Sequence, residues 1–213
     1  MAKLVGGPLG SYRGKAGGTI GSSWKGIAVV KSMPLSVANP QTVAQTAQRV
    51  KFAACIAVAR LLLSDLITTF WNPFAKRMSG INAFVKQNID CFTGGEFATP
   101  ADFSAARGIL MGVSGLAVAG WIAEAELSLT WDDNSGTGDA LATDVPMILL
   151  MNMNTGKWDF YASDNTRDAG TMEWTPDLAT SEDDVCHIYF FFARPDHSKV
   201  SDSYHLQYTV TAA

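Results

Sequence analysis

With 213 residues, 47% of them hydrophobic and 17% charged, the chain can bury a sizeable core, and wholesale disorder is excluded. The formal net charge of −4 conceals an asymmetry. Up to Ser64 the charged residues are all basic (Lys3, Arg13, Lys15, Lys25, Lys31, Arg49, Lys51, Arg60), whereas residues 100–213 hold 17 acids against five bases. Such a split points to separate modules with different partners, the positive part suiting either nucleic acid or the acidic half of a neighbouring copy.

The N-terminal "MAKLVGGPLG" lacks the apolar stretch of a signal peptide, so synthesis and assembly in the cytoplasm are expected. "GSYRGKAGG" looks like a phosphate loop, but its spacing fails. Only three residues separate Gly10 from Gly14-Lys15, and Ala16 stands where a P-loop needs a hydroxyl to reach magnesium. A dinucleotide fingerprint fails too, because no apolar strand precedes the glycines and no helix follows. Residues 1–38 hold eight of the 19 glycines, yet Ile20, Trp24, Ile27, Val29 and Val30 favour pleated structure. The expectation is a hairpin or paired extended arm that lies against something else.

Helix signals start at "ANPQTVAQTAQRVKF", with Asn39 as N-cap and Pro40 in the first helical position. Val43, Ala47, Val50, Ala54, Ala57 and Leu61 recur every three or four residues. This stripe is expected to bury against the chain's own second helix and sheet rather than a coiled-coil partner. The helix should run to about Phe70 and break at "WNPF"; "MSGINAFVKQNID" fits a second, shorter one. The run "FAACIAVARLLL", interrupted by Arg60, is too short to span a membrane.

From about Phe103 the hydrophobic period becomes two. "AELSLTW", "KWDFYAS" and "YHLQYTV" alternate, while "DVPMILLMNM" and "VCHIYFFFAR" are apolar on both faces, as central strands are. With "RGILMGV" and "AGTMEWT" they make about seven strands separated by turns such as "DDNSGTG". The pattern fits an immunoglobulin or fibronectin type III-like β-sandwich over 100–213, after an arm at 1–38 and a helical region at 39–95, an α+β chain.

Catalytic and metal constellations are not recognisable. Cys55, Cys91 and Cys186 form no Cys-x-x-Cys pair and are expected to be buried free thiols. His187 and Cys186 are strand neighbours and point to opposite faces. His197 falls in a turn and His205 on the polar face of the last strand. A calcium loop counted from Asp132 in "DDNSGTGDA" would have Gly136 and Thr143 where carboxylates are needed, so the stretch reads as a turn, and Glu182–Asp184 read as a solvated strand entry. No cofactor is expected.

"GSSWKGIAVVKSMP", "NPQTVAQTAQRVKF", "WNPF", "MSGINAFVKQN", "LSLTWDDNSGTGDA" and "VSDSYHL" together resemble an uncharacterised family found in Bacteroidota and in tailed bacteriophages, over nearly the whole chain. The resemblance offers no catalytic residues. It implies a place among virion structural genes. The resulting expectation is a non-enzymatic structural protein of a phage particle (capsid-associated, connector or tail), a homo-oligomer contacting other virion proteins. Its anchoring residues would be Arg13, Lys15, Trp24, Lys25 and Lys31. A nucleic-acid-binding protein using the same arm is the alternative, disfavoured because these cations are spread out among apolar residues.

Overall fold

The computed structural model covers the chain and describes residues 3–5, 10–24, 26–36, 39–121 and 126–211. The backbone separates into two compact units, Met1–Thr42 and Val43–Ala213.

The first unit is a four-stranded antiparallel meander of β1 (Lys3–Val5), β2 (Ser11–Ala16), β3 (Thr19–Trp24) and β4 (Ile27–Ser32). Gly17–Gly18 links Ala16 to its partner Thr19, and Gly26 stands just before Ile27, the partner of Trp24. Gly17 and Gly26 have φ of 56° and 85°, the left-handed values that tight hairpins demand and glycine adopts freely. Gly14 and Gly21 face each other across β2 and β3. A β-carbon on Gly21 would collide with the Tyr12 carbonyl and ring, and the Tyr12 hydroxyl hydrogen-bonds to Thr19. Glycine is therefore required where the tyrosine crosses the sheet.

The second unit opens with α1 (Val43–Leu61). The helix thus starts three residues after Pro40 rather than on it. One π turn over Leu63–Ile67 leads into α2 (Thr68–Phe70), and α3 spans Gly80–Asn88. The "WNPF" segment connects these helices. Asn72 Oδ1 accepts the Gly80 N–H at 2.7 Å, so tightly that only glycine fits at the start of α3. Trp71 Nε1 donates to the Ala105 carbonyl at 2.8 Å, and Asn88 exchanges two hydrogen bonds with the Ser104 backbone.

The stripe anticipated to be buried on α1 is largely open. Val43 is 88% and Leu61 58% exposed, and Ala47, Val50 and Ala57 are exposed as well. The helix packs inward through Cys55 and Ala59 instead, followed by Leu62, Leu66 and Ile67. The reason is composition: α1 is apolar on more than one face, and the larger residues that continue the Cys55–Ala59 line decide which face is buried.

A small hairpin, β5 (Phe92–Thr93) with β6 (Glu96–Phe97), precedes seven longer strands. β7 (Ala117–Trp121), β8 (Leu127–Thr130) and β11 (Thr171–Trp174) form a three-stranded antiparallel sheet in the order β11-β8-β7. β9 (Val145–Asn152), β10 (Lys157–Ala162), β12 (Val185–Ala193) and β13 (Tyr204–Thr209) form another, ordered β10-β9-β12-β13. "RGILMGV" is no strand and makes one bridge, Leu110 with Ser201; the first strand is instead "AVAGW", bulged between Val118 and Gly120.

The four-stranded sheet is a wall between two cores. Met147, Leu149, Met151, Tyr189 and Phe191 face the helices, with Phe84, Phe103 and Trp158 around them. Ile148, Leu150, Ile188, Phe190 and Phe192 face the other sheet and meet Trp121, Leu127, Leu129 and Trp131. That arrangement explains why β9 and β12 read as apolar on both sides.

Candidate functional site

Register on the first unit decides how the anticipated anchoring residues are grouped. Lys15 pairs with Ile20 and Ile20 with Lys31, so the three form one row across β2, β3 and β4. Paired residues share a face, and the next positions on that face are Ser22 with Val29 and then Ile27 on β4. Lys15 and Lys31 are both exposed, and Ile27 is 61% exposed. Arg13, also exposed, lies on β2 beside a cleft of about 510 Å³ lined by Tyr12, Ser22 and Ser23 among others. Lys25 and the side chain of Trp24 lie outside the described residues. Lys15 and Lys31 are thus brought together around an apolar centre, and Arg13 lines a cleft shared with Ser22, the next position on the same face.

Chemically, such a face attracts an acidic surface carrying an apolar patch. Among the described residues no group of three or more His, Cys, Asp or Glu could hold a metal ion, and no helix is long and apolar enough to cross a membrane.

Two clusters in the second unit escaped the sequence. His187 Nδ1 and His205 Nε2 lie 2.9 Å apart, joined by a hydrogen bond, with the rings stacked. The register pairs Tyr189 with His205 and His187 with Gln207, making the two histidines diagonal neighbours. Only knowledge of the β12–β13 register could have revealed this. Burial, together with the neighbouring His205, pushes the His187 pKa down to about 4, and burial lowers that of His205 as well.

The other cluster is a buried ionic clamp. Asp144 accepts from Arg167 Nε at 3.2 Å and from Arg194 Nη1 at 3.0 Å. Arg167 is fully buried, with its guanidinium carbon 3.8 Å above the Phe192 ring. It also donates to Asn134 Oδ1 at 2.6 Å and to the Met111 and Gly112 carbonyls. The "WDDNSGTGDA" stretch is therefore a tied-down loop. Trp131 Nε1 donates to the Arg167 carbonyl, Asn134 receives the guanidinium, and Asp133 closes an Asx turn on Ser135. Asp184, expected to be solvated, is buried and accepts from Asn152 Nδ2 at 2.8 Å and from the Ser181 N–H at 2.9 Å.

Against known families, the model of a family of unknown function (DUF6266) matches residues 11–207. The chain belongs to this family. The DUF6266 match spans both units, and no curated protein matches. Among solved structures, the solution structure of the fourth FNIII domain of a human protein is similar at a TM-score of 0.34 and 16% identity. It covers 50% of this chain and 82% of that one.

Proposed function

We propose that this DUF6266 chain is a non-enzymatic structural subunit of a bacteriophage particle, docking through its basic N-terminal sheet onto an acidic surface of a neighbouring subunit. The neighbour is another copy of the chain or another virion protein. One observation carries the reading: the N-terminal sheet has almost nothing to bury by itself. Among its described residues only Gly21 is buried, while Ile27 and Val30 remain open, as do Met33 and Leu35 (the last 107% exposed) just after β4. A sheet with no covered apolar face is marginal in water and gains its stability from a partner. The Lys15–Ile20–Lys31 row makes that partner acidic, and residues 100–213 supply 17 acids against five bases. The open α1 stripe adds a second apolar surface suited to assembly. The two-sheet part of the second unit, ordered β11-β8-β7 and β10-β9-β12-β13, serves as an immunoglobulin or fibronectin type III-like sandwich presented by the particle. The virion setting rests on the family resemblance.

The test is incorporation. Lys15→Glu combined with Lys31→Glu is expected to cut the amount of the chain in purified particles, measured by mass spectrometry, without moving the thermal transition of the purified protein. Normal incorporation overturns the docking face. Absence of the wild-type chain from particles overturns the virion setting. Submicromolar DNA binding at physiological salt, with a log–log salt slope of about −0.9 per phosphate contacted, would make the sheet a nucleic-acid site instead.

A further inference from the structure

A cavity of about 320 Å³ opens in the second unit beside the "WNPF" segment. Three stretches distant in sequence form it: Pro73–Lys76, Arg107–Ile109 and Ser198–Val200. They are held together firmly. Leu110 N–H donates to the Val200 carbonyl at 3.0 Å and Gly108 N–H to Asp202 Oδ1 at 3.0 Å. A β-carbon on Gly108 would strike the Val200 carbonyl, so glycine alone permits the approach. The Trp71 indole bond to Ala105 ties the "WNPF" segment to the stretch leading into Arg107.

The lining combines exposed apolar walls with three cations. Phe74 is 38% and Ile109 80% exposed. Lys76, Arg107 and Lys199 contribute the charge, and among the described residues no carboxylate is in the lining. Two of the five basic residues in the acidic stretch 100–213 are thus gathered here. Arg107 donates to Gln87, and Lys199 pairs with Asp139 at 3.2 Å. Lys76 has no hydrogen bond or ion pair among the described residues. Among the described residues three non-glycines adopt left-handed φ, and two flank this cavity: Arg77 (61°) beside Lys76, and His197 (56°) beside Ser198. Backbone held in that region costs free energy and concentrates at ligand clamps and other functional sites.

We propose that this cavity binds a small amphipathic anion, an aromatic or medium-chain carboxylate or sulfonate. The apolar body lies against Phe74 and Ile109, and the acid group meets Lys76 and Arg107. The volume sits at the lower end of the ~300–1,000 Å³ typical of small-molecule pockets. A stable macromolecular contact, by comparison, buries more than about 1,000 Å². The lining residues all belong to the second unit, and the proposal does not depend on the docking role.

The test is a titration of the full chain with 8-anilinonaphthalene-1-sulfonate, read by fluorescence and by competition with octanoate. Saturation at one site is expected, displaced by octanoate and not by octanol. Lys76→Glu should weaken binding at least tenfold, and Ile109→Asp should abolish it. Both side chains are exposed, so the thermal transition should stay in place and show that the fold is intact. The proposal is overturned by unsaturable binding, by equal displacement with octanol, or by unchanged affinity in both variants.

Discussion

Replacing Asp144 by alanine takes one carboxylate from between two arginines. Arg194 is partly open and can turn to water, but Arg167 is fully enclosed and would keep only neutral acceptors: Asn134 Oδ1 and the Met111 and Gly112 carbonyls. Burial already lowers the Arg167 pKa, against the opposing pull of Asp144, so the loss of that carboxylate falls on a cation the fold can hardly accommodate alone. Breaking a buried pair by removing one partner costs about 3–5 kcal/mol. For a unit of this size each kcal/mol moves the midpoint by about 2–4 °C, so Asp144→Ala should lower it by roughly 6–20 °C. Calorimetry of wild type, Asp144→Ala and the double variant Asp144→Leu/Arg167→Met measures this. The double variant should recover much of the loss, because an apolar pair can replace a buried ion pair at little cost. A shift under about 2 °C for Asp144→Ala, or a double variant less stable than the single one, would refute the clamp as a structural tie.

The histidine pair gives the fold an acid dependence. Unfolded His187 takes a proton near pH 6.5 and folded His187 only near 4, so stability is complete above about 6.5 and declines as pH falls through this window. Urea unfolding should lose about 2 kcal/mol between pH 6.5 and 5, and His187→Phe should flatten that slope; an unchanged slope assigns the loss to other groups. The three thiols should be silent. Burial pushes Cys55 up to about 11 and Cys186 up to about 12, and raises Cys91, so a disulfide reagent at pH 8 should label none until denaturant is added. Rapid labelling of the native protein would contradict the packing described for them.

Sequence pattern carried the reading wherever one local periodicity decided the outcome. Met147–Met151 and Cys186–Phe192 are apolar at every position apart from His187, as suits a strand covered on both faces. It misled where several faces were apolar at once. In α1 the regular Val43–Leu61 spacing competed with the Cys55–Ala59–Leu62 line, and the latter leads into the bulky Leu66, Ile67 and Phe70 that fill the core. Alanine and glycine mute the alternation of "AVAGW", whereas the more apolar "RGILMGV" is spent on a loop beside Val200. The ionic clamp and the 320 Å³ cavity gather residues from distant segments, so no local pattern could announce either. Of the expected anchoring residues, the lysine row required the strand register, which pattern alone does not give.

The shared sheet wall has a practical corollary for anyone cutting this chain into parts. A stretch starting near residue 100 looks like a free-standing module, but excising it would strip the helices from Met147, Leu149, Tyr189 and Phe191. One whole side of a sheet would become a greasy plane, and the fragment would precipitate or stick to itself. The helices fare no better alone, since Phe84, Leu66 and Ile67 would lose their backing. Val43–Ala213 is therefore the smallest piece to express, and damage to either core should be felt in both through β9 and β12.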